Sequence, residues 1–167
     1  GDNSSCAVPT AFEFNQSTQQ AYYFFYTASV DGIGLEAGDW VAAFKKAETF
    51  TDCGLDNWGI SICDGQEGWN NTFGNGMYDA GEDFVDANQN GVWDDEVCVG
   101  ARNWNTSQCG AGVCDVPVMG EAYNTVVDGD GNTIEGEVSN WTAGYMLPGD
   151  IPSFKIYDVS ANEYYDA

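Results

Sequence analysis

The sequence predicts an all-β fold, an antiparallel β-sandwich of immunoglobulin-like or jelly-roll type carrying a long acidic insertion and held by disulfides. Three observations lead there. Short β-branched and aromatic runs alternate with Gly-, Asn- and Asp-rich turns along most of the chain. Amphipathic helices are absent apart from a weak helical option at 40–50. Aromatics at 14% and a hydrophobic share of 43% exceed what a disordered chain carries, and 167 residues suffice for one domain with a real core.

Taken in order, AFEFN at 11–15 alternates as a half-buried strand does, and AYYFFYTASV at 21–30 is aromatic and β-branched. DWVAAF at 39–44 and VCVGARNW at 97–104 read as buried strands. EAYNTVV at 121–127, the segment around NWTAGYM at 140–146 and SFKIYDV at 153–159 bring the set to about seven. DGIG, AGD, CGAG, DGDGN and LPGD supply turn chemistry between them. The pattern breaks from 45 to 96, where strand periodicity gives way to Gly, Asn and Asp. WVAAF and VCVGA flank this block and would pair as a hairpin without it. The expected organisation is therefore a β-sandwich from 1–44 plus 97–167, with 45–96 inserted at a hairpin tip. An unstructured loop of about 50 residues is unusual in a compact domain, so the insertion needs its own staple.

Six cysteines and no histidine favour disulfides over zinc. Cys109 and Cys114 are the only close pair and lack zinc-knuckle spacing. Six cysteines allow fifteen pairings, among which the sequence does not select. The expectation is Cys53–Cys63 and Cys109–Cys114 as local loops, leaving Cys6–Cys98 to tie the N-terminal segment to a core strand. Such pairing implies an oxidising, extracellular setting. The start at Gly1, with no methionine or signal peptide, reads as a mature or excised product. No apolar run reaches the ~18 residues of a membrane span. The net charge of -23 disfavours nucleic acid and anionic membranes and favours cations or basic partners.

Residues 78–96, YDAGEDFVDANQNGVWDDE, concentrate that charge. Asp86, Asn88 and Asn90 stand at alternate positions, Gly91 follows at the sixth, and Asp94 occupies the ninth. Alternate oxygen ligands curl a chain around a hard cation, the glycine permits the sharp turn, and the seventh residue, Val92, offers its carbonyl. Val97 stands at the twelfth position, where a bidentate acid closes such a shell, so Asp95 or Glu96 is the expected substitute. Fifteen residues upstream the core recurs as Asn75-Gly76-Met77-Tyr78-Asp79, with Glu82 at its twelfth position. Asn71 and Phe73 hold the first and third positions of that copy. DGDGN at 128–132, with Glu135 and Glu137 behind it, reads as a hairpin turn.

The repeat of N-G-hydrophobic-aromatic-D, with G-E-D-F-x-D between its copies, resembles the calcium loops of thrombospondin type 3 repeats and dockerin modules over 71–96. That resemblance implies two Ca²⁺ ions. One would take Asp86, Asn88, Asn90, the Val92 carbonyl and Asp94; the other Asn75, the Met77 carbonyl, Asp79 and Glu82, with Asp83 as an extra ligand. FEFNQSTQQAYYFF, GDWVAAF, VCVGARNW, DVPVMG and IPSFKIYDVSANEYYDA are in turn similar to β-domains repeated in large secreted bacterial surface proteins, which implies a display or assembly role.

Acceptor sequons for N-glycans stand at Asn3, Asn15, Asn70, Asn105 and Asn140. Trp58, Trp69, Trp104 and Trp141 are the tryptophans expected at the surface, where they could stack on sugars. Without histidine there is no Ser-His-Asp triad or Cys-His pair, and no motif selects a catalytic carboxylate pair. The expected role is non-enzymatic: a calcium-stabilised, extracellular building block of a surface assembly or filament, partnered by copies of itself or neighbouring surface domains. A calcium-dependent carbohydrate-binding or adhesion module is the alternative.

Overall fold

A computed structural model of the chain describes residues 8–167 apart from 47, 49, 56, 57, 67, 68, 70–73, 106–108, 110 and 111. The fold is all-β, with antiparallel strand pairs and two disulfides. In chain order the strands are β1 (Gln20–Phe25), β2 (Ser29–Val30), β3 (Ile33–Gly34), β4 (Trp40–Lys46), β5 (Cys53–Leu55), β6 (Ser61–Cys63), β7 (Glu96–Asn103), β8 (Cys114–Met119), β9 (Tyr123–Val127), β10 (Thr133–Val138), β11 (Ser153–Asp158) and β12 (Glu163–Asp166).

A four-stranded sheet in the order β12-β11-β4-β7 carries the centre. WVAAF is apolar without alternation because β4 is flanked by β11 and β7 and buried from Trp40 to Phe44. β1 pairs with β8, and β9 with β10. The main core joins Val41 and Ala43 of β4 and Val97 and Val99 of β7 to Val116 and Val118 of β8, with Tyr145, Met146 and Ile156. Gly100 lets β8 approach, since a Cβ there would lie 1.7 Å from the Pro117 carbonyl oxygen. The β4–β7 register shifts between Ala43 and Phe44, as at a β-bulge.

Two expected strands are not strands. Residues 10–12 of the AFEFN region form a 3-10 turn, closed by the Phe12 N–H donating to the Pro9 carbonyl at 2.7 Å. Phe12 is fully buried, with edge contacts to Phe44, Tyr157 and Tyr164, so the alternation reflects a plug in the core. Residues 140–144 form turns in which the N–H groups of Thr142 and Tyr145 bond the carbonyls of Ser139 and Thr142. Tyr145 points inward, and its hydroxyl accepts the Asn15 N–H at 2.8 Å. DGDGN is the β9–β10 turn, where Asp128 Oδ1 accepts the N–H groups of Asp130 and Asn132. The 40–50 region has no helix among its described residues.

β4 and β7 pair from Trp40↔Asn103 to Lys46↔Glu96, so the acidic block connects two neighbouring strands. Cys53–Cys63 locks the β5–β6 ladder within that block, and Cys109–Cys114 closes the short loop before β8. Cys98 is a buried thiol with no disulfide among the described residues; its expected partner, Cys6, lies outside them. No helix of the described residues is long and apolar enough to cross a membrane.

Candidate metal centre

The second loop folds on its own side chains. Asp86 accepts the Asn90 N–H on Oδ1 at 3.1 Å and the Gly91 N–H on Oδ2 at 2.7 Å. Asn88 Oδ1 shares the Asn90 N–H, and Asn90 Oδ1 accepts the Val92 N–H at 2.7 Å. The amides of Asn88 and Asn90 both donate to Asp94 Oδ2, each at 2.7 Å. Gly91 has φ of 80° and Gln89 of 61°, the left-handed turns that a loop this tight requires.

Glu48 grips this loop from outside. Its Oε1 accepts the Ala87 N–H at 2.7 Å and its Oε2 the Asp94 N–H at 2.9 Å. Glu48 is only 3% exposed, and burial raises its carboxyl above the ordinary value, with Asp94 and Asp86 adding repulsion. Asp95 is exposed, and Glu96 is drawn into an ion pair with Lys155.

The first loop repeats these bonds with a different source for its leading acid. Asp52 accepts the Asn75 N–H on Oδ1 at 3.3 Å and the Gly76 N–H on Oδ2 at 3.0 Å, as Asp86 does for Asn90 and Gly91. Asn75 Oδ1 accepts the Met77 N–H, and its amide donates to Asp79 Oδ2 at 2.8 Å. Glu82 accepts the Cys53 N–H at 2.6 Å and the Asp79 N–H at 2.9 Å, mirroring the grip of Glu48 on Ala87 and Asp94. Gly74 makes the room, since a Cβ there would meet the Asp52 carboxylate at 2.1–2.3 Å. Asn71 and Phe73 lie outside the described residues. Asp83 enters through its carbonyl, which accepts the Thr51 N–H at 2.7 Å, while its side chain is exposed.

The loops meet through aromatics. Tyr78 and Trp93, each just before the ninth-position aspartate, stack at 4.9 Å and 11°. Phe50 bridges Phe84 and lies edge-on to both Tyr78 and Trp93. Ala87 then plugs the second loop into the main core, and Gln89 bonds the Asn140 carbonyl.

Glu48 and Asp52 are the residues that motif reading missed. The signal was present: E-T-F-T-D at 48–52 matches E-D-F-V-D at 82–86 at a 34-residue offset. An acid this far from its loop is invisible to a contiguous loop pattern.

Hard oxygen donors are what both loops offer, and that set suits calcium better than a soft transition metal. Among the described residues no group of three or more His, Cys, Asp and Glu side chains is arranged to hold a metal. Each loop instead mixes carboxylates with Asn amides and main-chain groups. The ion pairs among the described residues join Arg102 to Asp115 and Lys155 to Glu96 and Asp166, and none reaches the acids of either loop.

Of the tryptophans expected at the surface, Trp58 is 87% exposed and Trp141 65%; Trp69 is half-buried. Trp104 is a correction: it is 4% exposed and packs in the main core. Among the sequons, Asn140 is exposed, whereas Asn15 is half-buried with its amide donating to the Trp141 carbonyl. Asn105 is half-buried, and Asn3 and Asn70 lie outside the described residues. Compared with known proteins, the chain matches no family model, no curated protein and no solved structure.

Proposed function

We propose that this chain is an extracellular, calcium-stabilised structural protein, a unit of a surface assembly or filament, and not an enzyme. The observation that carries the reading is the reuse of one hydrogen-bond scheme by two loops, whose carboxylates Asp86, Asp94, Asp52 and Asp79 enter none of the ion pairs among the described residues. The Asn88 and Asn90 amides aim their N–H groups at Asp94. With calcium bound, Asp86, Asn88, Asn90, Asp94 and the Val92 carbonyl would face one ion. Asp52, Asn75, Asp79 and the Met77 carbonyl would face the other, with Glu48 and Glu82 holding the loops. Such an ion offsets clustered charge and ties together a Gly- and Asn-rich segment with little apolar surface to bury. Calorimetric titration of the chelator-treated protein tests this: two ions per chain are expected, and the absence of binding at millimolar Ca²⁺ contradicts it.

The β12-β11-β4-β7 sheet stacking on β1-β8 through a shared apolar core supports a sandwich, with 45–96 as its inserted unit. The disulfides fit an oxidising, extracellular setting. Self-assembly is supported by β1, which pairs only with β8 among the described residues and exposes Tyr22, Tyr23 and Phe24. Size-exclusion chromatography with calcium present should show oligomers; monomers at all concentrations would remove the assembly role. Exposed Trp58 and Trp141 favour a second reading, a calcium-dependent carbohydrate-binding module. Glycan-array binding that disappears with chelator would select it.

A further inference from the structure

We infer that the free edge of β1 pairs with the β1 of a second copy about a two-fold axis at Tyr22, joining two β1-β8 sheets into one; this rests on the reading of the chain as a unit of an assembly. β1 has β8 on one side, and no described strand pairs with it on the other. The register fixes which main-chain groups face that open side. Tyr22 stands opposite Pro117, which has no N–H, so this pair is a non-hydrogen-bonded one. Just before β1 the Gly120 N–H donates to the Gln19 carbonyl, which sets the same phase. By alternation, Gln20, Tyr22 and Phe24 aim both N–H and C=O away from β8. Each offers a donor and an acceptor to an added strand.

The side chains select a second copy as that strand's source. Tyr23 and Phe25 lie edge-on to Phe154, with ring centroids 5.2 and 5.1 Å away, on the face toward β11. Gln20, Tyr22 and Phe24 take the opposite face, where the Tyr22 hydroxyl bonds Gln20 Oε1 and Phe24 is 67% exposed. Residues 14–30 carry no charged side chain, the longest such run in a chain of net charge -23. Two copies repel where their acids meet, so an uncharged edge is where they approach at least cost. A basic strand would find no acid on β1 to attract it. The β9–β10 hairpin of another copy exposes Val127 and Ile134, but it brings Asp128, Asp130 and Glu135 with them. Antiparallel pairing about Tyr22 sets Tyr22 against its own copy and Gln20 against Phe24, in the bonded phase that all three require. No like charges then stand opposite one another, and the contact closes at two copies.

Cross-linking of the full chain in a Cys6→Ser background tests the register, because bonded partners in an antiparallel ladder lie about 5.5 Å apart, within disulfide reach. Tyr22→Cys oxidised with copper phenanthroline should give a covalent dimer, each thiol giving up its hydrogen as the S–S bond forms. Phe24→Cys should not, because its own copy lies four residues along the partner strand, about 14 Å away. Size-exclusion chromatography reads the same contact without a new thiol. Phe24→Glu should raise the dimer dissociation constant about tenfold or more, since it sets an acid between two acidic bodies. Adding Gln20→Lys should restore the dimer, because the two-fold register puts the new base against the partner's new acid. Far-UV circular dichroism checks that each variant keeps its β-structure, and rescue by the double variant excludes a folding defect. A dimer that the second substitution fails to restore overturns the two-fold register. Oligomers that survive Phe24→Glu, with no Tyr22→Cys cross-link, overturn this contact and leave an assembly built on another surface. Monomers in every form remove the assembly reading and the contact with it.

Discussion

Asp86 shows how little of the second loop depends on apolar packing. Its two carboxylate oxygens hold the Asn90 and Gly91 N–H groups, and the proposed ion would sit on the same carboxylate. Asp86→Ala should weaken calcium binding roughly tenfold or more, because loop affinity follows ligand charge and rigidity. Calorimetry reads that change, and unchanged affinity would take Asp86 out of the site. Cys98 lies at the opposite extreme. Burial pushes its thiol up to about 12, and its Sγ lies 3.5 Å from the Gly100 carbonyl oxygen. In a Cys6→Ser background, Ellman's reagent at pH 8 should find no reactive thiol in the native protein and one after denaturation. Rapid native labelling would mean that β7 opens locally.

β7 is the element whose placement is least tolerant of change. A Cβ at Gly100 would meet the Pro117 carbonyl oxygen at 1.7 Å, and since the atoms it meets are all backbone of Pro117 and Val118, nothing soft is there to give. Gly100→Ala should cost about 3 kcal/mol, at the upper end of overpacking penalties, and denaturant unfolding measures it. At this scale much of the fold was legible. WVAAF and VCVGARNW declared themselves because buried stretches need continuous apolar runs, Trp40 to Phe44 in the central strand β4 and Val97 to Gly100 in its edge neighbour β7, and SFKIYDV alternated as its neighbours require. AFEFN and NWTAGYM misled for one shared reason: Phe12 and Tyr145 are apolar because they plug the core from turns, and burial without a strand partner looks the same in sequence. The DANQNGVWD loop was legible because its bonds are local. Its partner was half legible, since Asp52 reaches Asn75 across 23 residues and only the folded chain brings them together.

The whole molecule faces an electrostatic problem that its sequence states openly and its fold does not remove. With a net charge of -23 and only 4 basic side chains against 27 acids, most acids have no basic side chain to pair with. Arg102 and Lys155 pair with acids of the body, and Lys45 bonds the Gly144 and Tyr145 carbonyls, beside the strand that leads into the insertion. Glu48, buried among the acids of the second loop, is where the conflict is sharpest. On the proposed reading, calcium would resolve it by lowering the charge and by adding contacts that exist only in the folded state, so that ion binding would add directly to folding stability. At a free Ca²⁺ concentration 100-fold above the dissociation constant, one site contributes about 2.7 kcal/mol. The direct measurement is thermal unfolding of the full chain in excess calcium and in excess chelator. The account predicts a midpoint several degrees higher in calcium, reversed by chelator and reduced in Asp86→Ala. Coincident unfolding curves under the two conditions would contradict it.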